Sequence, residues 1–528
     1  MKMEVINRTN NFSVIFISVA LSLAGCNSES TADLSASPDI PEAPEVPVDP
    51  EVPVDPEVPV TPEIPENAKT KNVILMIADG TSDGAWDLAS YWTDGKLNNN
   101  TYPYTEFDTR MAVNTAPINA TYEPALTCTE EEQKVLYEAV KVWDDTPIES
   151  NFEFAGYDYL NKEYTDSAAA ATAYATGHKT YGSAMGVDYC GEPLEAITTI
   201  AKRNGLSTGI VTSVPISHAT PGAFAANNLS RHNYSEISRD MFLNGRTDLI
   251  MGTGHPAYDG QGNRKTISKY NYKYIGQDSW EELVSNKLVA DGSDKPWSFI
   301  EKKSDFEKLA NNEATAEMLD GPLLGLVQSD SSTQQARGCS NGQDGNVAFA
   351  CDFLPRPPTL EVMTKGAINY LSQNENGFFL MVEGGAVDWA AHGNHTARII
   401  EELVEFNASI SAVIAWVEEN SSWDETLLIV TTDHGNAYVL GETSDQVAYA
   451  HVENPGKGVM PIVKYYSGNH TRELVRLYAK GNGADTLSIA VRGNDPGYVA
   501  NYNNIGSNGD YVNNTDVFEL MKQVIVAQ

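Results

Sequence analysis

The chain reads as an α/β protein, with a central, mainly parallel sheet and helices on both faces. Three observations predict it. Apolar runs recur along the chain, helix-patterned segments separate them, and acidic or histidine residues follow several runs directly. Residues 73–78 (Val-Ile-Leu-Met-Ile-Ala) are unbroken apolar, as expected of a strand buried on both faces. Residues 206–214, 378–382 and 426–432 look like further buried strands. Residues 194–203, 396–416 and 515–526 carry helical spacing. In such sheets ligands bind beyond the carboxyl ends of the strands.

Residues 164–177 begin Tyr-Thr-Asp-Ser and continue into an alanine-rich block. This places Ser167 at or just inside a helix N-terminus, where free N–H groups and the helix dipole favour an anion. A serine there also reads as a plain N-cap.

The front of the 528-residue chain is not expected to belong to the fold. Residues 12–23 are apolar behind Lys2 and Arg8, too short for the roughly 20 residues of a membrane span. Residues 1–25 therefore read as a signal peptide. It ends Leu-Ala-Gly before Cys26, which resembles a lipobox, so Cys26 is the expected lipidated residue and plain secretion the alternative. Residues 26–68 are proline-rich and carry ten carboxylates between Asp33 and Glu66 with no Lys or Arg, an extended acidic linker. Residues 69–528 are the expected catalytic body. The net charge of −37 argues against nucleic acid as a partner. Cys128, Cys190, Cys339 and Cys351 remain for disulfides in an oxidising compartment, with their pairing open.

The chemistry-bearing residues follow the apolar runs. Asp79 follows the first, His218-Ala-Thr220-Pro the second, Glu383 the third and Asp433-His434 the fourth. Asp388 and His392 are spaced i, i+4, so one helical turn points both the same way. His470 comes later. Nitrogen and oxygen donors without thiolates suit catalytic zinc, and carboxylate with hydroxyl suits magnesium.

At these residues the chain resembles the alkaline phosphatases of bacteria and animals. The resemblance runs from Asn72 to the C-terminal helix. Its motifs are Asn-Val-Ile-Leu-Met-Ile-x-Asp-Gly (72–80), Thr-Asp-Ser-Ala-Ala-x-Ala-Thr-Ala (165–173), His-Ala-Thr-Pro (218–221) and Gly-Phe-Phe-Leu-Met-Val-Glu-Gly (377–384). Asp-Trp-Ala-x-His (388–392), Thr-x-Asp-His (431–434), Gly-Asn-His-Thr-x-Glu-Leu-Val (468–475) and Asn-Thr-Asp-Val-Phe (514–518) complete them.

The resemblance implies a homodimeric enzyme that releases phosphate from monoesters through a phosphoserine at Ser167, using two zinc ions and one magnesium. A phosphodiesterase or sulfatase on the same scaffold is the alternative. Asp388, His392 and His470 would hold the first zinc, and Asp79, Asp433 and His434 the second. Asp79, Glu383, Thr220 and His218 would form the third site, where His218 leans toward zinc. Arg231 falls where the family clamps phosphate, and Asp166 would orient it.

The chain departs from the family pattern in places. Ala78 stands where Gly is usual, and Thr81-Ser82 where Met-Gly is usual. Trp389 replaces Lys or His, which alters a phosphate contact. With His218 it resembles a cold-adapted marine bacterial subgroup. Residues 92–162 are expected to be an insertion near the site entrance or dimer interface. The anchored enzyme is expected in the periplasm or at the cell surface, and Asn27 rather than Asp directly after Cys26 favours the outer membrane by analogy with lipoproteins.

Overall fold

The computed structural model describes residues 70–97, 102–125, 134–149, 153–502 and 507–527. The expected signal peptide, Cys26, the acidic linker and Cys128 lie outside these residues. In chain order the strands are β1 (Asn72–Ile77), β2 (Thr109–Asn114), β3 (Ser207–Pro215), β4 (Leu249–Thr253), β5 (Ser298–Ile300), β6 (Leu323–Leu326), β7 (Phe378–Glu383) and β8 (Thr426–Thr431). They continue as β9 (Gly435–Asn436), β10 (Val439–Gly441), β11 (Val463–Tyr465), β12 (His470–Thr471), β13 (Val475–Gly481), β14 (Gly493–Asn494) and β15 (Asp510–Asn513).

Eleven of these form one sheet in the order β14-β15-β2-β13-β8-β1-β7-β3-β4-β6-β5. Every pairing from β8 to β5 is parallel. β13 runs antiparallel between β8 and β2. The four strands expected from sequence are β8, β1, β7 and β3, which are adjacent at the centre. Their position explains the mainly apolar runs: a central strand has helices over both faces, so most of its side chains are apolar, with Thr208, Thr212 and Ser213 of β3 buried among them.

The period-2 geometry of a strand divides the core. Val73, Leu75 and Ile77 of β1 pack on one side, with Ala168, Tyr174, Ile197, Val517 and Met521. Ile74, Met76 and Ala78 pack on the other, with Leu88, Met363, Ile400 and Leu403. The first side carries helices Ser167–Thr176, Ile197–Arg203 and Asn514–Val526. The second carries Asp83–Asp94, Leu360–Leu371 and the 25-residue Thr396–Asn420. These include the helices expected around residues 194–203, 396–416 and 515–526.

The 92–162 stretch contributes a strand, β2, to the central sheet between β13 and β15. Further on, Val142, Phe154, Tyr157 and Leu160 pack with Tyr438, Tyr466 and Leu474 in a tyrosine-rich cluster. Tyr157 donates to the Ser444 carbonyl at 3.1 Å and accepts from the Tyr449 N–H at 2.8 Å. The stretch thus braces the loops that follow β9. Cys339 and Cys351 are joined, and Cys190 is disulfide-bonded.

One buried ion triad ties β13 to the helix that follows β1. Arg476 donates to Asp83 at 2.9 Å through Nε and to Asp87 at 2.9 Å, and all three are buried. Removing the guanidinium strands two carboxylates away from water. Arg476→Ala is therefore expected to cost about 3–5 kcal/mol. The check is a lower denaturant midpoint at unchanged slope; an unmoved midpoint contradicts it.

Candidate active site

Four adjacent parallel strands end on the same edge of the sheet. Ile77 of β1 is in register with Glu383 of β7 and Thr431 of β8, and Thr212 of β3 with Glu383. The residues just beyond must therefore converge. Asp79 follows β1, Glu383 closes β7, and Asp433 and His434 follow β8. His218 caps the short helix Ala219–Ala223 after β3, and Thr220 lies in its first turn. The helix Ala386–His392, directly after β7, carries Asp388 and His392 one turn apart. His470 arrives from far along the chain, because β12 pairs with β9 and sets it opposite Asn436. Its ring stacks on that of His434 with centroids 3.7 Å apart.

Ser167 is the first residue of the helix Ser167–Thr176, as the sequence predicts. The cap itself is Asp166, whose Oδ1 accepts from the N–H of Ala169 at 3.1 Å and of Ser183 at 2.9 Å. Its Oδ2 accepts from Arg231 at 2.9 Å. Burial raises the affinity of Asp166 for a proton, but Arg231 and these two N–H donors outweigh it and leave the carboxyl below its ordinary range. Arg231 is thereby fixed beside the helix N-terminus. One carboxylate both caps the helix and holds Arg231, so Ser167 is free of the capping role. Its Oγ lies 3.1 Å from His434 Nε2.

Donor atoms of Asp79, Asp433 and His434 lie within 4.8 Å of one another. So do those of Asp388, His434 and His470. His392 Nε2 is 3.4 Å from Asp388 and 3.2 Å from His470 Nε2, on the more exposed rim. Sequence reading gave His434 to one metal only; in the structure it stands between both groups. Backbone carbonyls orient the imidazoles: Thr165 O lies 2.9 Å from His470 Nδ1, and Gly468 O 3.0 Å from His392 Nδ1. Each leaves Nε2 toward the cluster.

The donors fit cations. Asp79 Oδ1, Asp433 Oδ2, Glu383 Oε1 and His218 Nδ1 are buried without a hydrogen-bond partner, a costly arrangement unless something else satisfies them. Burial, with Asp433, Asp388 and Glu383 around it, pushes the Asp79 carboxyl well above its ordinary range. Burial lifts Glu383 to about 7 and Asp433 to about 6, with Asp388 adding to the latter. Burial also works to raise Asp388, but the hydrogen bond and charge of His470 outweigh it and hold it far below. Burial and the neighbouring His470 keep His434 neutral, and burial with Arg231 takes His218 down to about 3. Crowded carboxylates and neutral imidazoles are what hard and borderline divalent ions coordinate.

The expected third-site residues are also near. Thr220 Oγ1 donates to Asp79 at 3.5 Å, and Thr212 donates to Glu383. The His218 ring meets the edge of Trp389 at 5.5 Å and stacks on Tyr234 at 6.2 Å. Several supporting residues escaped the sequence reading. Asn436 donates to Asp388 at 2.7 Å, Thr432 accepts from the Thr81 N–H at 3.1 Å, and Thr212 holds Glu383. Each is an ordinary polar residue with no spacing signal; only proximity to a ligand motif hinted at Thr432 and Asn436.

The alkaline phosphatase family model matches residues 144–507, more than half of the chain. The chain belongs to the alkaline phosphatase family. Alkaline phosphatase 4 of Bacillus subtilis (strain 168) is 34% identical over 275 residues, which cover 51% of this chain and 49% of that protein. The chain spans about half the length of the first curated relatives it matches. Among solved structures, alkaline phosphatase from the Antarctic bacterium TAB5 superposes with a TM-score of 0.52 at 22% identity, covering 87% of this chain and 99% of that one. Variants of that protein hold magnesium in the M3 site. Alkaline phosphatase of Thermus thermophilus superposes with a TM-score of 0.56 at 18% identity, over 89% of this chain and 94% of that one. These two likenesses establish the shared fold.

Proposed function

We propose that the chain hydrolyses phosphate monoesters with Ser167 as nucleophile. The observation that carries this reading is the Ser167 Oγ, seated on a helix N-terminus, 3.1 Å from His434 and beside the Asp166-anchored Arg231. Asp388, His392 and His470 would hold one zinc, Asp79, Asp433 and His434 a second, and Asp79, Glu383, Thr220 and His218 a third ion, magnesium or zinc. When bound, these ions supply positive charge that lowers the pKa of a hydroxyl and offsets charge on a leaving oxygen.

The chain's own residues do the rest. Arg231 offers a fork to two phosphate oxygens, and the first N–H groups of the Ser167 helix face the same anion. Ser167 Oγ loses its proton and attacks phosphorus. The P–O ester bond breaks opposite it, the alcohol leaves and takes up a proton, and phosphoserine remains. Water then attacks the phosphoserine, which releases inorganic phosphate and restores the hydroxyl. Most of the work is positioning and charge stabilisation, as phosphoryl transfer requires.

Hydrolysis of an aryl phosphate, an aryl phosphodiester and an aryl sulfate by the same preparation tests the reading. The monoester is expected to lead the other two by at least about 10²-fold in kcat/KM, a gap of roughly 3 kcal/mol. A diester or sulfate that matches it overturns the assignment.

The same reading includes a homodimer and a lipid on Cys26 that tethers the body through the acidic linker, at the outer membrane in preference to free secretion. Globomycin-sensitive processing and a diacylglycerol mass on the mature N-terminal cysteine are expected; a lipid-free mature chain contradicts the tether.

A further inference from the structure

A cleft of about 220 Å³, lined by Thr165 two residues before Ser167, is left unused by the mechanism. Two tyrosines, Tyr122 and Tyr164, line it, with Asn119, Asn161, Glu163 and Thr165 among the other lining residues. Thr165 joins the cleft to the site, since its carbonyl orients His470 and its neighbour is Asp166. Tyr164 tilts over His470 with ring centroids 5.8 Å apart and accepts from Asn469 at 2.7 Å.

Tyr122 is held from the other side. The Gly182 N–H donates to the Thr121 carbonyl at 2.8 Å. The Tyr122 ring lies so close over Gly182 that a Cβ there would sit 2.8 Å from two ring carbons. The next residue, Ser183, accepts from the Arg231 N–H at 2.8 Å and donates to Asp166. The loop is thus tied to the phosphate clamp itself. Burial, then Asp166 and Tyr164, raises the Tyr122 hydroxyl pKa while Arg231 lowers it, which places that hydroxyl in the field of the clamp. Yet 57% of Tyr122 is exposed. An aromatic side chain fixed at its backbone and open at its face is a surface that awaits a partner.

The lining suits a leaving group. Tyr164 stands over His470, which lies against Asp388 and His392, so the cleft borders that group of donors. Among the described residues no Lys or Arg lines the cleft, and Glu163, which does, is paired with Arg472 at 2.9 Å. Such walls disfavour further anionic groups and favour a flat, uncharged one. The volume lies below the roughly 300–1,000 Å³ of drug-sized pockets, so it suits one planar ring system.

We propose that this cleft binds the aromatic part of a phosphate monoester's leaving group, with Tyr122 and Tyr164 as its stacking walls. The proposal rests on the monoesterase reading above and adds a substrate class to it: nucleoside monophosphates and aryl phosphates over aliphatic phosphates.

The test measures kcat/KM for adenosine 5′-monophosphate, phenyl phosphate and glycerol 2-phosphate, in the metal-loaded protein and in Tyr122→Ala and Tyr122→Phe. Base–ring stacking losses on alanine substitution predict at least about a fivefold fall in the nucleotide-to-glycerol ratio for Tyr122→Ala. Tyr122→Phe, which keeps the ring, should hold the ratio. A fall for the nucleotide alone assigns the cleft to a nucleobase, and a fall for phenyl phosphate as well assigns it to aryl groups generally. Unchanged ratios in Tyr122→Ala, or equal falls in Tyr122→Phe, overturn the proposal. Turnover that survives Ser167→Ala would instead sink the monoesterase reading, so the two failures are distinct.

Discussion

Ser167→Ala loses monoester hydrolysis by about four orders of magnitude or more, on the scale seen when a nucleophile is removed from a coupled site. The fold should not notice. The helix is capped by Asp166, whose carboxylate holds Ala169, Ser183 and Arg231 regardless of the residue at 167. Ser167 is buried and leads an alanine-rich helix, so alanine adds no volume and keeps helix propensity. Thermal midpoints of the two proteins should agree within a few degrees. Substantial residual turnover, with the metals in place, would mean that another group attacks phosphorus. Asp166→Ala makes the contrast: it removes cap and clamp anchor together, so activity and stability both fall, the latter by about 1 kcal/mol for the cap alone.

Chelation is the second large effect, and its size should depend on pH. In the metal-free fold Glu383 titrates at about 7 and Asp433 at about 6, both raised chiefly by burial. Unfolded, they return to ordinary values near 4. A raised folded pKa means that the folded state binds protons the unfolded state has lost. The stability these protons give is present below the unfolded pKa and lost as pH rises through about 7, a loss on the order of a few kcal/mol for Glu383 alone. Divalent cations act the other way, since they need the carboxylates ionised. The gap in thermal midpoint between loaded and chelated protein should therefore widen from pH 5 to pH 8. Activity should vanish on chelation and return with zinc and magnesium. A gap that stays level or narrows with pH contradicts the arrangement of Asp79, Glu383 and Asp433 as a cation cage.

Much of this arrangement is legible in the sequence because it sits where the sequence is least ambiguous. The four central strands are mostly apolar, since helices cover both faces, and carboxylate or histidine residues stand at or within three residues of their ends. The Ser167 helix is announced by Thr-Asp-Ser before its alanines. Other features depend on long-range pairing, which periodicity does not carry. β2 and β13 are ordinary strands whose place in the sheet follows from their partners. His470 meets His434 through a two-residue pairing with β9. The double role of Asp166 needs Ser183, and the sharing of His434 between two donor groups depends on His470 and Asp388 reaching it from other elements. Tyr122 carries no motif and Tyr164 only precedes Thr-Asp-Ser; the cleft that both line is what brings them together.

The central claim is that phosphate passes through Ser167 Oγ. Its most direct test is acid quenching of the metal-loaded protein during turnover of an aryl phosphate, followed by peptide mass spectrometry. The account predicts a phosphoryl group on Ser167 and none in the Ser167→Ala protein. A phosphoryl group on any other residue, or turnover with no phosphorylated peptide at any time, would contradict it.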